Sequence, residues 1–428
     1  MKRLNYKPRI ADMILTRKLS MIGAVLIEGP KWCGKTTTGE QHSESVIYMD
    51  DPRMRNANIT AAEIDPSLIL DGATPRLIDE WQIAPRIWDA VRFEVDHRDQ
   101  DWQFILTGSA VPLLLDEELL NTHTGTGRIA RLRMRTMSLW ESGDSSGKIS
   151  LKSIFSGESP SATCQSSIKD IAYFCCRGGW PRAVSKGGDI ALDMAYDYLK
   201  AVVHSDISRV DSSIKNTERV ERFLRSYARH IGSPAPLKAI FADMLPNEQN
   251  SLDIRRIQPY ESALKQIFVI ENMPAWNPNL RSKAAIRSAD TRYFVDPSIA
   301  AAALGVGPKD LMSDLNTFGL IFENLCIRDL RVYAEALNGT VYHYRDSLGL
   351  ECDAVMHLRD GRYGLIEIKL GGDKLIEEGA TNLKKLRDKI DTDKMHNPSF
   401  MMILTAVGQF AFKRPDDVWV VPVTCLKD

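Results

Sequence analysis

A glycine-rich loop between an apolar run and a helical pattern constrains the fold of this chain more than any other segment. Residues 29–36 match the pattern G-x-x-x-x-G-K-[ST] in full, as Gly-Pro-Lys-Trp-Cys-Gly-Lys-Thr. The apolar run Val25-Leu26-Ile27 precedes the loop, and a helix can follow from Thr37. This order of strand, loop and helix predicts a phosphate-binding loop (P-loop) at the end of a buried strand.

The loop predicts a site for a nucleoside triphosphate, and we expect ATP. Its glycines let backbone N–H groups face phosphate oxygens, and the following helix adds its positive end. Lys35 is expected to reach the β- and γ-phosphates, and the Thr36 hydroxyl is expected to ligate Mg²⁺. The predicted nucleotide-binding residues are Gly29, Pro30, Lys31, Trp32, Cys33, Gly34, Lys35, Thr36 and Thr37, with Thr107 and Ser109 from a later strand end.

An acidic pair, Asp79 and Glu80, follows a second apolar run and supplies the carboxylates that a P-loop needs. Side chains at the C-terminal ends of parallel strands meet at the edge where open α/β sheets bind ligands. Asp79 is predicted to hold Mg²⁺, directly or through water, and Glu80 to polarise the attacking water. A solvated acidic turn is the alternative. Thr107 or Ser109 could contact the γ-phosphate or that water, although such a turn is often only a strand end.

Arg128 lies in the flexible turn Gly125-Thr126-Gly127-Arg128. An arginine here could neutralise the charge of the transition state, in its own subunit or in a neighbouring one. A surface arginine without a catalytic role is the equal alternative.

The distribution of apolar runs divides the chain into three regions and a linker. Residues 1–142 alternate apolar runs with helical patterns and predict a parallel α/β sheet, with buried strands at Val25–Ile27, Val46–Tyr48, Leu77–Ile78 and Phe104–Leu106. The Ser- and Gly-rich residues 143–167 are predicted to be a linker. Residues 168–309 predict helices followed by a two-stranded wing, Ile267–Ile270 with Tyr293–Val295, as in a winged helix. Residues 310–428 predict a second α/β domain, with a helix around Phe318–Tyr333 and several strands.

Several of these segments together resemble the bacterial and archaeal AAA-type ATP-binding proteins that carry a C-terminal domain of unknown function. The segments are Gly29–Thr37, Ile78–Gln82 with Pro85 and Trp88, Leu106–Ser109, Gly127–Arg128, Arg177–Pro181 and Phe318–Glu323. The resemblance covers nearly the whole chain. It implies an AAA-like core, a helical or winged-helix middle and a nuclease-like C-terminal domain, and it implies no particular biological role.

The last region contains the D…E-x-K pattern of restriction-endonuclease-like folds, with Asp353 on one strand and Glu367 and Lys369 on the next. Alternation along a strand puts Glu367 and Lys369 on one face, and a hairpin can bring Asp353 beside them. The two carboxylates would bind Mg²⁺, and the lysine would help to activate water. Glu323 resembles the extra acidic residue of many such folds. A half-buried hairpin with solvated charges is the alternative.

Overall charge and composition exclude some classes of protein and leave three functions open. With 55 basic and 56 acidic residues, the net charge of −1 does not indicate a strongly basic nucleic-acid binder. No apolar run reaches about 18 residues and the N-terminus lacks a signal-peptide core, so we expect a cytoplasmic protein without a membrane partner. The hypotheses are an ATPase that controls a nucleic-acid-related domain, an ATP-regulated nuclease acting on DNA or RNA, and a non-enzymatic switch that binds a protein partner. Assembly with further copies of the chain is also open.

Overall fold

The computed structural model describes residues 6–108, 126–211, 214, 216–244, 255, 257–278 and 288–428. The chain divides into two compact units. The first consists of residues 1–135, with 207–213 and 266–268, and the second consists of residues 136–206, 214–265 and 269–428. Within the part of the chain that is described, no helix is both long enough and apolar enough to cross a membrane.

The first unit is built on a five-stranded parallel sheet with the strand order β2-β3-β4-β1-β5. The strands are β1 Ala24–Glu28, β2 Ser45–Tyr48, β3 Arg76–Asp79, β4 Phe104–Gly108 and β5 Ile129–Arg133. The helices are α1 Ile10–Leu19, α2 Lys35–His42, α3 Arg55–Ile64, α4 Ser67–Leu70 and α5 Arg86–Arg98. The parallel α/β prediction is therefore confirmed, including each of the four predicted strands.

The central strands of this sheet are apolar because both faces are covered. Ile78 and Leu106 belong to a buried cluster that also contains Trp81 and Trp88 from the segment after β3. Since all five strands run in the same direction, their C-terminal ends lie at one edge of the sheet. Glu28, Asp79 and Gly108 end their strands at that edge, which places the loops that follow them side by side.

The second unit begins with short elements and continues with the helical middle of the chain. The short elements are α6 Leu139–Ser142, β6 Ile149–Ser150, α7 Leu151–Phe155 and β7 Ala162–Thr163. The helices that follow in the chain are α8 Ile168–Arg177, α9 Pro181–Lys186, α10 Gly188–Ala201, α11 Ile207–Val210, α12 Thr217–Arg229, α13 Leu237–Met244, α14 Gln258–Gln266, α15 Pro297–Leu304 and α16 Pro308–Ser313. A π-helical turn, Val202–Asp206, joins α10 to α11, which lies in the first unit.

The two segments that were predicted to form the wing are joined by isolated antiparallel bridges. Ile270 pairs with Phe294 and Met273 pairs with Thr291 as isolated bridges. Residues 279–287, which connect the two segments, lie outside the described residues. The helical middle is confirmed, and its classification as a winged helix stays a prediction.

The C-terminal part carries a long helix and a mixed seven-stranded sheet in the order β7-β12-β13-β11-β10-β9-β8. The elements are α17 Leu315–Ala336, β8 Gly339–Arg345, β9 Glu351–Leu358, β10 Tyr363–Lys369, α18 Asp373–Lys389, β11 Phe400–Thr405, β12 Phe410–Lys413, β13 Val418–Pro422 and β14 Leu426–Lys427. Strands β9 and β10 are antiparallel, whereas β10 and β11 are parallel and are connected through α18. The prediction of a second α/β domain is confirmed.

Residues 143–167 contribute one strand to each of two sheets that contain C-terminal strands, in addition to connecting two regions of the chain. Strand β7 pairs with β12 through Ala162 and Thr163, and β6 pairs with β14 through Ile149 and Ser150. Backbone pairing needs no particular side chains, so a Ser- and Gly-rich composition did not reveal it. The predicted boundaries at residues 142, 167 and 309 stay predictions.

Candidate active site

The P-loop lies between β1 and α2, and its glycines adopt backbone conformations that other residues rarely reach. Gly29 has φ 153° and Gly34, which precedes α2, has φ 105°. A Cβ atom on Gly29 would lie 2.1 Å from the backbone oxygen of Met134, so a side chain cannot fit there. These glycines fix the path of the loop and leave its backbone amides at the N-terminus of α2.

Lys35 is buried in the loop with its ammonium group against backbone oxygens. Its Nζ donates to the carbonyls of Gly29 at 2.9 Å and Pro30 at 2.8 Å. A cation held by neutral carbonyls at the mouth of the loop can exchange them for phosphate oxygens. Among the variable positions of the loop, Trp32 is exposed whereas the Cys33 thiol is buried and lies 3.6 Å from the Met134 carbonyl oxygen.

The Asp79 carboxylate accepts hydrogen bonds from two hydroxyl groups of neighbouring elements at the edge of the sheet. Thr36 Oγ1 donates to Asp79 Oδ1 at 2.8 Å, and the Thr107 hydroxyl donates to the same oxygen. Burial raises the pKa of the Asp79 carboxyl above its usual value, although both hydroxyl hydrogen bonds oppose the shift. A buried carboxylate beside a hydroxyl is a donor set that suits Mg²⁺, whose charge would offset the cost of burial.

Glu80 lies in a left-handed backbone conformation, φ 54°, between β3 and a 3-10 turn at Trp81–Ile83. Its carboxylate accepts a hydrogen bond from the Gln82 side-chain amide. Burial raises the pKa of Glu80, and the positive charge of Lys35 is the largest opposing influence. Gln82 Oε1 is buried and has no hydrogen-bond partner among the described atoms. Gln82 Oε1 is therefore a buried hydrogen-bond acceptor that remains available beside the Glu80 carboxylate.

The sheet register places Arg128 away from the P-loop of its own chain. Ile129 pairs with Ala24 at the start of β1, whereas the P-loop follows Glu28 at the end of β1. The two ends of β1 are separated by about 13 Å at roughly 3.3 Å per residue. Arg128 Nε instead donates to Asp96 Oδ1 at 2.8 Å. The predicted site residue Ser109 lies outside the described residues.

Two residues near the P-loop were missed by the sequence analysis. Arg9 is buried and donates from Nη1 to the Cys33 carbonyl and from Nη2 to the Arg135 carbonyl, both at 2.9 Å. Asp50 follows β2 at the same sheet edge, and its negative charge contributes to the raised pKa of Asp79. The position of Asp50 after an apolar run could have identified it, whereas nothing local to Arg9 indicates its contacts.

The C-terminal cluster brings together all four residues that were predicted for it. Lys369 Nζ lies 2.6 Å from Glu367 Oε2 and 3.2 Å from Asp353 Oδ2. Asp353 Oδ2 also accepts the backbone N–H of Ile368 at 2.7 Å. The alternation of side chains along β10 puts Glu367 and Lys369 on one face, as predicted. The hairpin of β9 and β10 supplies Asp353.

Glu323 reaches the cluster from α17, and its carboxylate accepts a hydrogen bond from Tyr293 Oη. Burial and then the negative charge of Asp353 raise the pKa of Glu323 to about 8, and the same two causes raise the pKa of Glu367 to about 8. Burial alone would lower the pKa of Lys369, but the charges of Asp353 and Glu367 outweigh it and raise that pKa. The cluster therefore crowds three carboxyl groups around one ammonium, and burial together with mutual repulsion favours the protonated forms of Glu323 and Glu367.

No group of three or more His, Cys, Asp or Glu residues is arranged to hold a metal ion in the described ranges. In the C-terminal cluster the Lys369 ammonium lies between two of the carboxylates. The predicted metal ligands lie close together; they are Asp353, Glu367 and Glu323. Their role as ligands stays a prediction.

Three different parts of the chain each match a different protein family. Residues 22–142 match the AAA domain family, residues 168–310 match a domain of unknown function (DUF8612) and residues 318–426 match another (DUF4143). The chain thus carries an AAA domain, which implies nucleotide binding, followed by a C-terminal domain of unknown function. The family resemblance is confirmed at that level.

Two mycobacterial proteins and several solved structures are similar to the chain. The uncharacterized proteins Rv2008c of Mycobacterium tuberculosis and Mb2031c of Mycobacterium bovis are each 23% identical over 372 residues, which cover 84% of this chain and 73% of each relative. The Walker-type ATPase PABY2304 of Pyrococcus abyssi matches 71% of this chain and 97% of its own at 14% identity, with a TM-score of 0.43. The RuvB Holliday junction branch migration motor of Thermotoga maritima matches 62% of this chain and 87% of its own at 19% identity, with a TM-score of 0.24.

Proposed function

We propose that this chain hydrolyses ATP with Mg²⁺ at the P-loop of its AAA domain. The observation that carries the proposal is the contact between Thr36 Oγ1 and Asp79 Oδ1 at 2.8 Å. It joins the hydroxyl that ends the P-loop to the carboxylate that ends β3, and these are the two groups that a Mg²⁺–triphosphate site requires.

Each side chain at this edge has a distinct role in the proposed reaction. Lys35 exchanges the carbonyls of Gly29 and Pro30 for the β- and γ-phosphate oxygens. Thr36 and Asp79 would hold Mg²⁺, which would supply positive charge to neutralise the phosphates. Glu80 takes one proton of the attacking water, and the unpartnered Gln82 Oε1 accepts a hydrogen bond from that water's other O–H group.

The raised pKa of Glu80 suits this role, because a carboxylate with a pKa nearer neutrality is a stronger base towards water. The positive charge of Lys35 opposes the rise in the pKa of Glu80 and so favours the ionised carboxylate, which is the form that accepts a proton from water.

Nucleotide competition together with phosphate release tests this function. The purified full-length chain should release phosphate from ATP only with Mg²⁺. ATP and ADP should displace a fluorescent ATP analogue, and AMP should not, because the loop contacts the β- and γ-phosphates. Binding without phosphate release would favour the alternative of a nucleotide-dependent switch that binds a protein partner. Equal displacement by AMP would contradict the P-loop assignment.

A second candidate function is Mg²⁺-dependent cleavage of DNA or RNA by the C-terminal domain, under the control of the nucleotide. The observation that favours it is the placement of Lys369 Nζ between Asp353 and Glu367, with the Glu323 carboxylate nearby. Carboxylates with raised pKa values hold protons that a divalent cation can displace. Asp353 and Glu367 would hold the cation, and Lys369 would stabilise the charge of the attacking water.

Cleavage assays on the full-length chain with ATP and Mg²⁺ or Mn²⁺ test this second function on single- and double-stranded DNA and RNA. Asp353→Ala and Glu367→Ala should each abolish cleavage. Asp360→Ala is the matched control, because Asp360 lies in the exposed turn between β9 and β10 and pairs only with Arg362 among its ion-pair contacts in the described structure. Each variant should keep its metal-free melting curve. Cleavage that survives in the Asp353 variant would contradict the assignment.

A further inference from the structure

Two cysteines face each other at the junction between β7 and the end of the C-terminal sheet. Cys164 follows β7, and Cys425 ends a 3-10 turn at Val423–Cys425. Cys164 Sγ lies 3.1 Å from the Thr424 hydroxyl, and Cys425 Sγ lies 3.8 Å from the Thr163 carbonyl oxygen. The neighbouring Cys164 also contributes to the raised pKa of Cys425. The two dipeptides 163–164 and 424–425, which are distant in sequence, thus lie side by side and bring their two thiols close together.

Backbone hydrogen bonds hold both sides of this pair. The Cys164 N–H donates to the Gln409 carbonyl at 2.8 Å, which extends the pairing of β7 with β12. The Ser146 N–H donates to the Thr424 carbonyl at 2.8 Å and fixes the other side. A disulfide requires a narrow range of separations and directions, and two cysteines on adjacent, anchored segments can reach it with little rearrangement.

Access from solvent differs between the two thiols. Cys164 is half-buried, whereas the other six of the seven cysteines are buried. Cys164 lines an open groove of about 660 Å³ together with Ser166, Gly408 and Phe410. The nine residues that line the groove carry no charge, so a small neutral oxidant meets no electrostatic barrier there. Burial raises the pKa of Cys425 to about 11, so this buried thiol is protonated at neutral pH and Cys164 is the more accessible of the two sulfurs.

We propose that Cys164 and Cys425 are a redox modification site that closes to a disulfide when the protein meets a peroxide. The Cys164 sulfur attacks the O–O bond, so that an S–O bond forms and the leaving oxygen departs as water or an alcohol. The Cys425 sulfur then attacks the Cys164 sulfur. The S–S bond forms, the S–O bond breaks, and the hydroxyl leaves with the Cys425 proton as water. Two thiols lose one electron each, and the peroxide gains two.

The disulfide would change how the segment around β7 is held. Strand β7 is two residues long and attaches to the sheet through two pairs with β12. A covalent bond between residues 164 and 425 would close a long loop through most of the second unit, which restricts the unfolded chain and stabilises the folded one. Oxidation would thus fix one wall of the groove, and reduction by a dithiol would release it.

Peptide mapping of the full-length protein tests the proposal directly. The reduced protein is treated with a stoichiometric amount of hydrogen peroxide, alkylated and digested without reductant. We expect one cross-linked species that joins the peptides containing Cys164 and Cys425. It should disappear with dithiothreitol, and the oxidised protein should melt a few degrees higher than the reduced protein.

Matched variants keep the result interpretable. Cys425→Ser should leave Cys164 as a sulfenic acid that a dione reagent traps, and Cys164→Ser should prevent oxidation at this site. Cys175→Ser is the control, because Cys175 is fully buried away from the pair and its loss should leave the cross-link intact. The proposal is overturned if Cys164 in the wild-type protein stays reduced, is over-oxidised without cross-linking, or pairs with another cysteine. The wild-type map decides this even if a variant fails to fold.

Discussion

The Thr36 hydroxyl donates a hydrogen bond to Asp79 Oδ1 at 2.8 Å, although 43 positions separate the two residues in the sequence. Thr36 lies at the start of α2 after β1, and Asp79 ends β3. Strand β4 lies between β1 and β3 in the sheet and contributes Thr107 to the same carboxylate oxygen. The site therefore depends on the order of three parallel strands as much as on the two motifs.

The Asp79→Asn variant should weaken ATP binding in Mg²⁺ about tenfold or more and leave binding in EDTA unchanged. Asparagine still accepts the Thr36 hydrogen bond but lacks the charge that a divalent cation requires; charge-assisted contacts of this kind contribute about 1.5–3 kcal/mol. Titration calorimetry with and without Mg²⁺ measures the difference. Asp71→Asn, an exposed aspartate before β3, should behave as wild type. An equal loss of affinity in EDTA would argue against a role at the cation.

Arg128 should act on the nucleotide of a neighbouring subunit if it acts at all, because it lies at the opposite end of β1 from its own P-loop. Arg128→Ala should then bind ATP normally and lose turnover by about three orders of magnitude. Mixing it with Lys35→Ala chains should restore activity, since an intact P-loop can meet an intact arginine. The measurement is phosphate release by the mixture.

The matched control for Arg128 is Arg92→Ala, which removes a longer contact, 3.9 Å, to the same Asp96. Arg92→Ala should retain turnover. Co-assembly of the two chains must be demonstrated with different affinity tags. If a co-assembled mixture of Arg128→Ala and Lys35→Ala shows no rescue, action in trans is refuted.

Arg9→Ala should raise the KM for ATP about tenfold while kcat changes little. The Arg9 guanidinium bridges the carbonyl of Cys33 in the P-loop and that of Arg135 after β5, so its loss lets the loop relax without touching the reacting groups. Arg9→Lys should lie between, because an ammonium cannot reach both carbonyls with the same geometry. Arg53→Ala, whose side chain is 86% exposed, is the control. A selective loss of kcat would contradict this positioning role.

The metal-free protein should lose stability as the pH rises from about 4.5 towards 8. Glu323 has its pKa raised from 4.5 to about 8 by burial and by Asp353, so the folded state holds a proton that the unfolded state has already released. The stabilisation is complete below the unfolded pKa and is lost as the pH passes the folded pKa.

Glu323→Gln should reduce that pH dependence, of which Glu367 carries the remainder, and should melt higher than wild type at pH 8, since glutamine is neutral and still accepts the Tyr293 hydrogen bond. Melting curves in EDTA between pH 5 and about 9 measure it. Glu378→Gln, on the exposed face of α18, should keep the wild-type slope. A slope unchanged in Glu323→Gln would show that the carboxyl is not protonated in the folded state.

Much of the fold could be predicted because buried parallel strands are apolar along their whole length. Val25–Ile27 and Phe104–Leu106 are examples, and both were predicted within two residues of their observed ends. Strands β7 and β12 were missed. Phe410 and Phe412 on β12 are exposed, so that segment lacks the buried pattern, and β7 is two residues long and is held by backbone pairing.

In the candidate sites, residues that belong to a local motif could be predicted, whereas residues that are placed by contacts distant in sequence could not. Gly29–Thr36 and Glu367 with Lys369 were recognisable because a local motif fixes which side chains lie together. The placement of Arg128 depends on the register between β5 and β1, and the contact of Arg9 with Arg135 joins residues 126 positions apart. Neither the register nor that contact leaves a pattern in the surrounding sequence.

Phosphate release by Glu80→Gln shows whether Glu80 is the base that activates water at the P-loop. The new glutamine has the same shape as Glu80 and leaves the neighbouring Gln82 in place. Its side-chain amide cannot accept a proton from water. Radiolabelled ATP with Mg²⁺ is followed in a single turnover on wild type and on Glu80→Gln. We expect that both proteins bind ATP with equal affinity, that wild type releases phosphate and that the variant does so at least about a hundredfold more slowly. Equal rates in the two proteins, or bound ATP that wild type never hydrolyses, would contradict it.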